Sequence, residues 1–335
     1  MFSKSFKWFI AVLISSFIIM KRSQHEQITL GSLSGHPSDI YTPDYYANGT
    51  YLELPFGTMR YWLFGNERGN QVVLIHGLST GSAVYVKLAK DLADNGHHVL
   101  VYDLYGRGYS DAPPVNYNEA LYSSQLAMLL QKVGWSNTDV IGLSLGGAIA
   151  TSFASFYPEM VKRLVLIAPA GIMQDKDMPT LLKLLMPLAS QHFITSQPYI
   201  RPLFMSAVKR FAKSTRYAQS GLEKDTEEII SNMTQIAFHQ FLYHPGYFKA
   251  VLRTVVDFPF TGLRERFKRV GEQKEISVLM IWGDKDTTVP FYHSEEAKRL
   301  LPNAKMMVYK DQGHDVLLTK WKSVNANIIN FLTIR

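Results

Sequence analysis

A mostly parallel β-sheet covered by helices on both faces is the fold class this sequence predicts, and three observations predict it. Short, continuous β-prone runs recur from Gln71 onward, helix-length segments separate them, and one long stretch rich in Met, Leu, Phe, Tyr and Lys interrupts the alternation. The runs are Val72–Ile75, Val99–Tyr102, Val140–Leu143, Leu164–Ile167, Val278–Ile281 and Met306–Tyr309. Runs that are apolar throughout, rather than alternating, suit strands buried on both faces. Between them, Tyr85–Asn95, Tyr117–Val133 and Gly147–Tyr157 have helical length and spacing, and Trp321–Leu332 closes the fold as a final helix. Upstream, Tyr51–Leu54 and Met59–Phe64 flank Pro55-Phe56-Gly57, the pattern of an opening antiparallel hairpin.

These elements divide the chain. Residues 50–170 and 272–335 form an α/β core, and residues 171–271, which contain no obvious parallel strand, form an inserted helical cap. The insertion falls between two sheet strands on the side where ligands bind in such sheets. Residues 23–49 are expected to be a linker. Ahead of them, Lys4 and Lys7, an apolar run from Trp8 to Met20, then Lys21 and Arg22 have the form of an anchoring segment. Thirteen residues make about 20 Å of helix, short of the roughly 30 Å hydrocarbon core unless the flanking lysines snorkel. Ile18-Ile19-Met20 running into Lys21 lacks the small residues of a cleavage site, which favours a retained N-terminal anchor, at an endomembrane for example, over secretion after cleavage.

Composition removes several classes. With 47% apolar and 19% charged residues, the 335-residue chain is neither disordered nor a polytopic membrane protein. The net charge of +7 is spread without a basic stripe or interleaved aromatics, so nucleic acid is not expected and an anionic membrane surface is the better partner. The absence of cysteine rules out disulfides, zinc thiolates and cysteine nucleophiles. No His/Asp/Glu cluster has metal-site spacing, and neither a metal nor an organic cofactor is expected.

The chemistry gathers in a few short segments. Gly142-Leu143-Ser144-Leu145-Gly146 is a G-x-S-x-G motif directly after a buried strand and before a helix. A serine hydroxyl is a weak nucleophile at neutral pH and must be presented to a base on a sharp turn, which the two glycines permit. Asp284 and Asp286 share the loop after Val278–Ile281, and only one of them can orient a base. Gly313-His314 follows the last strand. The chain order Ser, Asp, His is one in which such triads are built. His76-Gly77-Leu78 follows the first parallel strand, and Asp103–Ser110 carries glycines without the G-x-G-x-x-G spacing of a nucleotide loop.

Gly283-x-x-Asp286 with Pro290 four residues on resembles the acid loop of the α/β-hydrolase fold family, and the other motifs fall in that family's order over roughly Tyr51–Leu332. The resemblance implies an α/β-hydrolase fold, with Ser144 as nucleophile, His314 as general base and Asp286 as its orienting acid. Asp284 is left to cap the loop or bond backbone amides. It also implies an oxyanion hole made by the backbone amides of Leu78 and Leu145, and a structural rather than basic role for His76. A serine at position 144 disfavours the epoxide and halide chemistry of relatives with aspartate there. Carboxylic esters, thioesters, small amides and carbon–carbon bonds beside a carbonyl remain open. An apolar cap and an anchor point to a small-molecule ester, a lipid ester such as a monoacylglycerol above all. Two rivals stand beside this: a carbon–carbon hydrolase gripping an anionic substrate through Arg201, Arg210 or Arg216, and a receptor that keeps the scaffold without catalysis.

Overall fold

The computed structural model describes residues 29–177 and 222–333. Eight strands form one sheet: β1 (Gly49–Leu54), β2 (Gly57–Gly65), β3 (Gln71–Ile75), β4 (His98–Tyr102), β5 (Thr138–Leu143), β6 (Val161–Ile167), β7 (Ser277–Gly283) and β8 (Lys305–Tyr309). They lie in the order β1-β2-β4-β3-β5-β6-β7-β8. β1 and β2 form the expected antiparallel hairpin and β2 runs antiparallel to β4, while every pair from β4 through β3 to β8 is parallel. The chain steps outward from β3 to β4 and then returns to β5 on the other side of β3. That reversal makes the carboxyl ends of β3 and β5 the place where a parallel sheet opens a crevice.

The central strands are apolar throughout because both faces are covered. Side chains alternate between the faces: Val73, Ile75, Val140, Leu164, Leu166 and Met280 point into one layer, and Val72, Leu74, Ile141, Val165, Leu279 and Ile281 into the other. The first layer is filled by α2 (Glu119–Val133), α3 (Leu145–Phe156), α6 (Arg264–Glu272) and α7 (His293–Leu300). The second is filled by α1 (Val86–Asp94), α4 (Lys224–Tyr243) and, after the short α8 (Val316–Thr319), α9 (Trp321–Thr333). α2 starts where Asn118 Oδ1 accepts from the Leu121 amide at 3.0 Å and stops at left-handed Gly134. β8 reads like the inner strands but is an edge, and Val308 on it is half exposed.

Two expectations change. Residues 29–48, expected within a linker, pack against the sheet: Leu33 and Tyr41 are fully buried, and Tyr46 nearly so. The cause is a buried polar anchor. Tyr41 Oη donates to both carboxylate oxygens of Asp103 at 2.7 and 2.8 Å, and Tyr46 Oη donates to the Ser82 carbonyl at 2.8 Å. The insertion after β6 is helical where it is described, with α4, α5 (Tyr247–Asp257) and α6 and no strand among the described residues. α6 and the first part of α4, however, belong to the core layers: Phe267 and Val270 are buried on the α3 side of the sheet and Ile229, Met233 and Ile236 on the other, so the 171–271 boundary reaches too far. Residues 178–221, including Arg201, Arg210 and Arg216, and the 1–22 segment lie outside the described residues. Among the described residues no helix is long and apolar enough to cross a membrane.

Candidate active site

Ser144 occupies the turn between β5 and α3 with φ 56° and ψ −115°, a backbone conformation that costs a non-glycine residue about 1–3 kcal/mol. The turn is held by the Ser144 amide, which donates to the Ile167 carbonyl at 2.9 Å, and by its carbonyl, which accepts from Ala170 at 3.1 Å. Its neighbours must be small. A Cβ on Gly142 would stand 2.2 Å from the Gly146 carbonyl oxygen, and one on Gly146 would stand 1.9 Å from that of Ile75. The helix therefore begins at Leu145, two residues earlier than its apolar pattern suggests. Ser144 sits at the N-cap, yet its hydroxyl makes no capping bond, so the oxygen is not spent on the helix. Leu145, as first residue of α3, has an amide with no intrahelical acceptor.

The loop after β3 lies against this turn: a Cβ on Gly77 would be 3.5 Å from Ser144 Cβ. His76 is fully buried and bonded on both sides. Its Nε2 accepts from the Leu104 amide at 2.9 Å, so Nδ1 carries the proton and donates to the Gly77 carbonyl at 2.7 Å. Burial above all, with the Arg107 guanidinium adding to it, pushes the ring's pKa down to about 3, which makes it neutral and unfit as a base near pH 7. Because the N–H and C=O of a trans peptide point in opposite directions, the bond that fixes the Gly77 carbonyl also aims the Leu78 amide.

The loops after β7 and β8 are stitched together. Lys285 N donates to the Gln312 carbonyl at 2.8 Å and Asp284 N to that of Tyr309 at 3.1 Å. The Asp284 carboxylate accepts from the Asp311 amide at 2.6 Å. Asp286 is buried; its Oδ1 accepts from the amides of Thr288 and Val289 at 2.9 and 3.0 Å, and its Oδ2 lies 2.7 Å from His314 Nδ1. With Nδ1 donating to that carboxylate, Nε2 of His314 is left as the acceptor nitrogen. The His314 side chain retains 24% exposure. Of the four non-glycine residues with positive φ among the described residues, Ser144 directly follows β5, Ala168 directly follows β6 and Asp311 lies two residues after β8, so backbone strain collects at the carboxyl edge of the sheet.

The sequence profile of the alpha/beta hydrolase fold matches residues 70–320. This chain belongs to the α/β-hydrolase fold family. Lipase 1 of Psychrobacter immobilis is 27% identical to this α/β-hydrolase over 267 residues, which is 75% of this chain and 73% of that protein. The 2-hydroxy-6-oxo-6-phenylhexa-2,4-dienoate hydrolase of Comamonas testosteroni is 24% identical over 271 residues, 80% of this chain and 89% of that protein. A solved esterase from Exiguobacterium antarcticum superimposes with a TM-score of 0.67 at 18% identity, covering 85% of this chain and all of its own.

Two residues of this α/β-hydrolase were not singled out from sequence. Arg107, fully buried, donates from Nε to the Leu78 carbonyl at 3.1 Å and from its other nitrogens to Tyr105 O, Tyr122 Oη and Thr254 Oγ1 at 3.0, 2.8 and 2.8 Å. Asp103 takes the Ser82 and Tyr109 amides in addition to Tyr41. Its approach explains Gly108, where φ is +52° and a Cβ would lie 2.0 Å from Asp103 Oδ2. The signal was present in the run Asp103–Ser110, but its partners are far away in the chain.

Proposed function

We propose that this α/β-hydrolase cleaves a carboxylic ester through an acyl-enzyme on Ser144, and that its substrate is a lipid ester such as a monoacylglycerol. The observation that carries the reading is the 2.7 Å bond from His314 Nδ1 to the buried Asp286 carboxylate. It fixes the tautomer in which Nε2 can take the Ser144 proton during attack and return it to the leaving alcohol. Asp286 stabilises the imidazolium, and the Leu78 and Leu145 amides receive the developing oxyanion. Water activated by the same nitrogen then releases the acid, so the cycle runs on this chain's own groups. The lipase relative supports a lipid ester, and the run from Trp8 to Met20 between basic residues supports attachment to a membrane through the N-terminus. Helix α5 and the second half of α4 belong to a cap that walls the site.

The carbon–carbon hydrolase relative, which this chain matches over more of its length than it does the lipase, favours a second reading in which the same three residues cleave beside a carbonyl. One experiment separates these. A panel from short p-nitrophenyl esters to long-chain monoacylglycerols and a vinylogous 1,5-diketone acid is assayed with wild type and Ser144→Ala. Long-chain monoacylglycerol turnover that falls by about 10⁴-fold or more in Ser144→Ala is expected. Turnover of the diketone alone would move the assignment to the second reading. No turnover, together with no covalent labelling of Ser144 by a fluorophosphonate, would make the chain a receptor.

A further inference from the structure

The loop Gly77–Ser82 is held by residues that no motif marks. We infer that Gln240 and Tyr247, on the insertion helices α4 and α5, are positioning residues that fix the oxyanion loop together with Arg107; the inference rests on the Ser144 reading above. Gln240 is fully buried and both ends of its amide are used: Oε1 accepts from the Gly108 amide at 2.6 Å and Nε2 donates to the Ser79 carbonyl at 3.2 Å. Tyr247 Oη donates to the same Ser79 oxygen at 2.8 Å. A carbonyl oxygen has two lone pairs, and both are engaged here.

Three successive carbonyls are thus tied down, Gly77 by His76, Leu78 by Arg107, and Ser79 by Gln240 and Tyr247. Each bond also sets the opposite direction of its peptide's N–H, so the segment that carries the Leu78 amide cannot rotate without breaking buried hydrogen bonds. α5 enters the arrangement twice. Tyr247 and Thr254 are seven residues apart and so lie on one helix face, and Thr254 binds Arg107 while its hydroxyl also meets Tyr122 Oη at 2.7 Å. α4 and α5 are therefore walls of the site rather than a lid that swings clear of it. Donors aimed in advance stabilise a transition state without reorganising, and loosening them lowers turnover more than substrate affinity.

The test uses the full chain and a short p-nitrophenyl ester, which makes few contacts with the insertion. Tyr247→Phe removes one donor and keeps the ring; Gln240→Glu keeps the acceptor for Gly108 N and removes the other donor. The double variant is expected to lose about tenfold in kcat, less than the 10²–10³ that follows outright loss of an oxyanion donor. KM should stay within about twofold, fluorophosphonate labelling should slow in step with kcat, and the pH profile should not move. Wild-type kcat, or a rise in KM alone, overturns the inference. If Gln240→Glu fails to fold, Tyr247→Phe decides on the same readouts with an expected loss of about threefold. Ser144→Ala run in parallel keeps the two claims apart: activity surviving there defeats the site assignment itself, whereas a dead Ser144→Ala beside fully active Tyr247→Phe and Gln240→Glu defeats only the positioning role.

Discussion

Asp284 and Asp286 are two residues apart on one loop, and their surroundings give them different work. Asp286 has both oxygens occupied, one by two loop amides and the other by His314, while Asp284 bonds the Asp311 amide. Replacing Asp286 by Asn keeps the size but removes the charge and allows the imidazole the wrong tautomer, so Asp286→Asn should lower kcat by about 10⁴-fold. Asp284→Asn retains an oxygen for the Asp311 amide and should cost less than about tenfold by the same measure, since it touches neither His314 nitrogen. Steady-state kinetics on one ester decide it, and a dead Asp284→Asn with an active Asp286→Asn would exchange the two roles. Residues of this kind are legible in sequence because each motif carries its own geometry within a few positions. Gln240 and Tyr247 are not, because their partners Ser79 and Gly108 lie more than a hundred residues away and no local pattern announces the pairing.

At the scale of elements, the strands and most helices were legible because burial on both faces leaves an unmistakable apolar run. The N-terminal arm was not. Residues 29–48 are rich in Ser, Gly, Pro and Asp, a composition that reads as loop, and what fixes them is a hydroxyl–carboxylate bond from Tyr41 to Asp103. The density of Tyr41, Tyr45 and Tyr46, whose rings pack edge to face, was the available clue. The arm and the segment ahead of it should therefore behave differently on truncation. A chain starting at residue 23 should lose sedimentation with lipid vesicles and keep its activity on soluble esters. A chain starting at residue 49 leaves Asp103 without its Tyr41 donor, a loss of about 1–3 kcal/mol from that bond alone, and should melt several degrees lower. Equal melting temperatures for the two truncations would show that the arm adds nothing to the fold.

Across the whole molecule, buried histidines set the response to acid. His76 and His244 sit neutral in the interior, their pKa values pushed down mainly by burial to about 3 and about 4. In the unfolded chain both return to about 6.5. The unfolded state thus binds protons that the folded state refuses, so the stability these groups contribute is complete above about pH 6.5 and is lost as pH falls toward their folded values. The slope reaches about 1.4 kcal/mol per pH unit for each group. Asp103 and Asp139, raised mainly by burial, work in the opposite sense between the carboxylate range and their folded values, since protonation relieves a buried charge, while His97 and His98, also lowered by burial, add to the histidine effect. Calorimetric melting temperatures should fall from about pH 6.5 to about 4, and fall less in His244→Gln than in the wild type; an equal fall in both would contradict the burial of the His244 ring.

The seam between the loops after β7 and β8 has a bearing on when the chain can first react. Synthesis proceeds from the N-terminus at about 5–20 residues per second, so the serine turn emerges many seconds before His314, roughly half a chain length behind it. His314 meets Asp286 across a seam that needs the last strand in place, since Asp284 N bonds Tyr309 at its end and Lys285 N bonds Gln312 in the loop beyond it. On the mechanism proposed above, a nascent chain until then holds its nucleophile without a base and is inert.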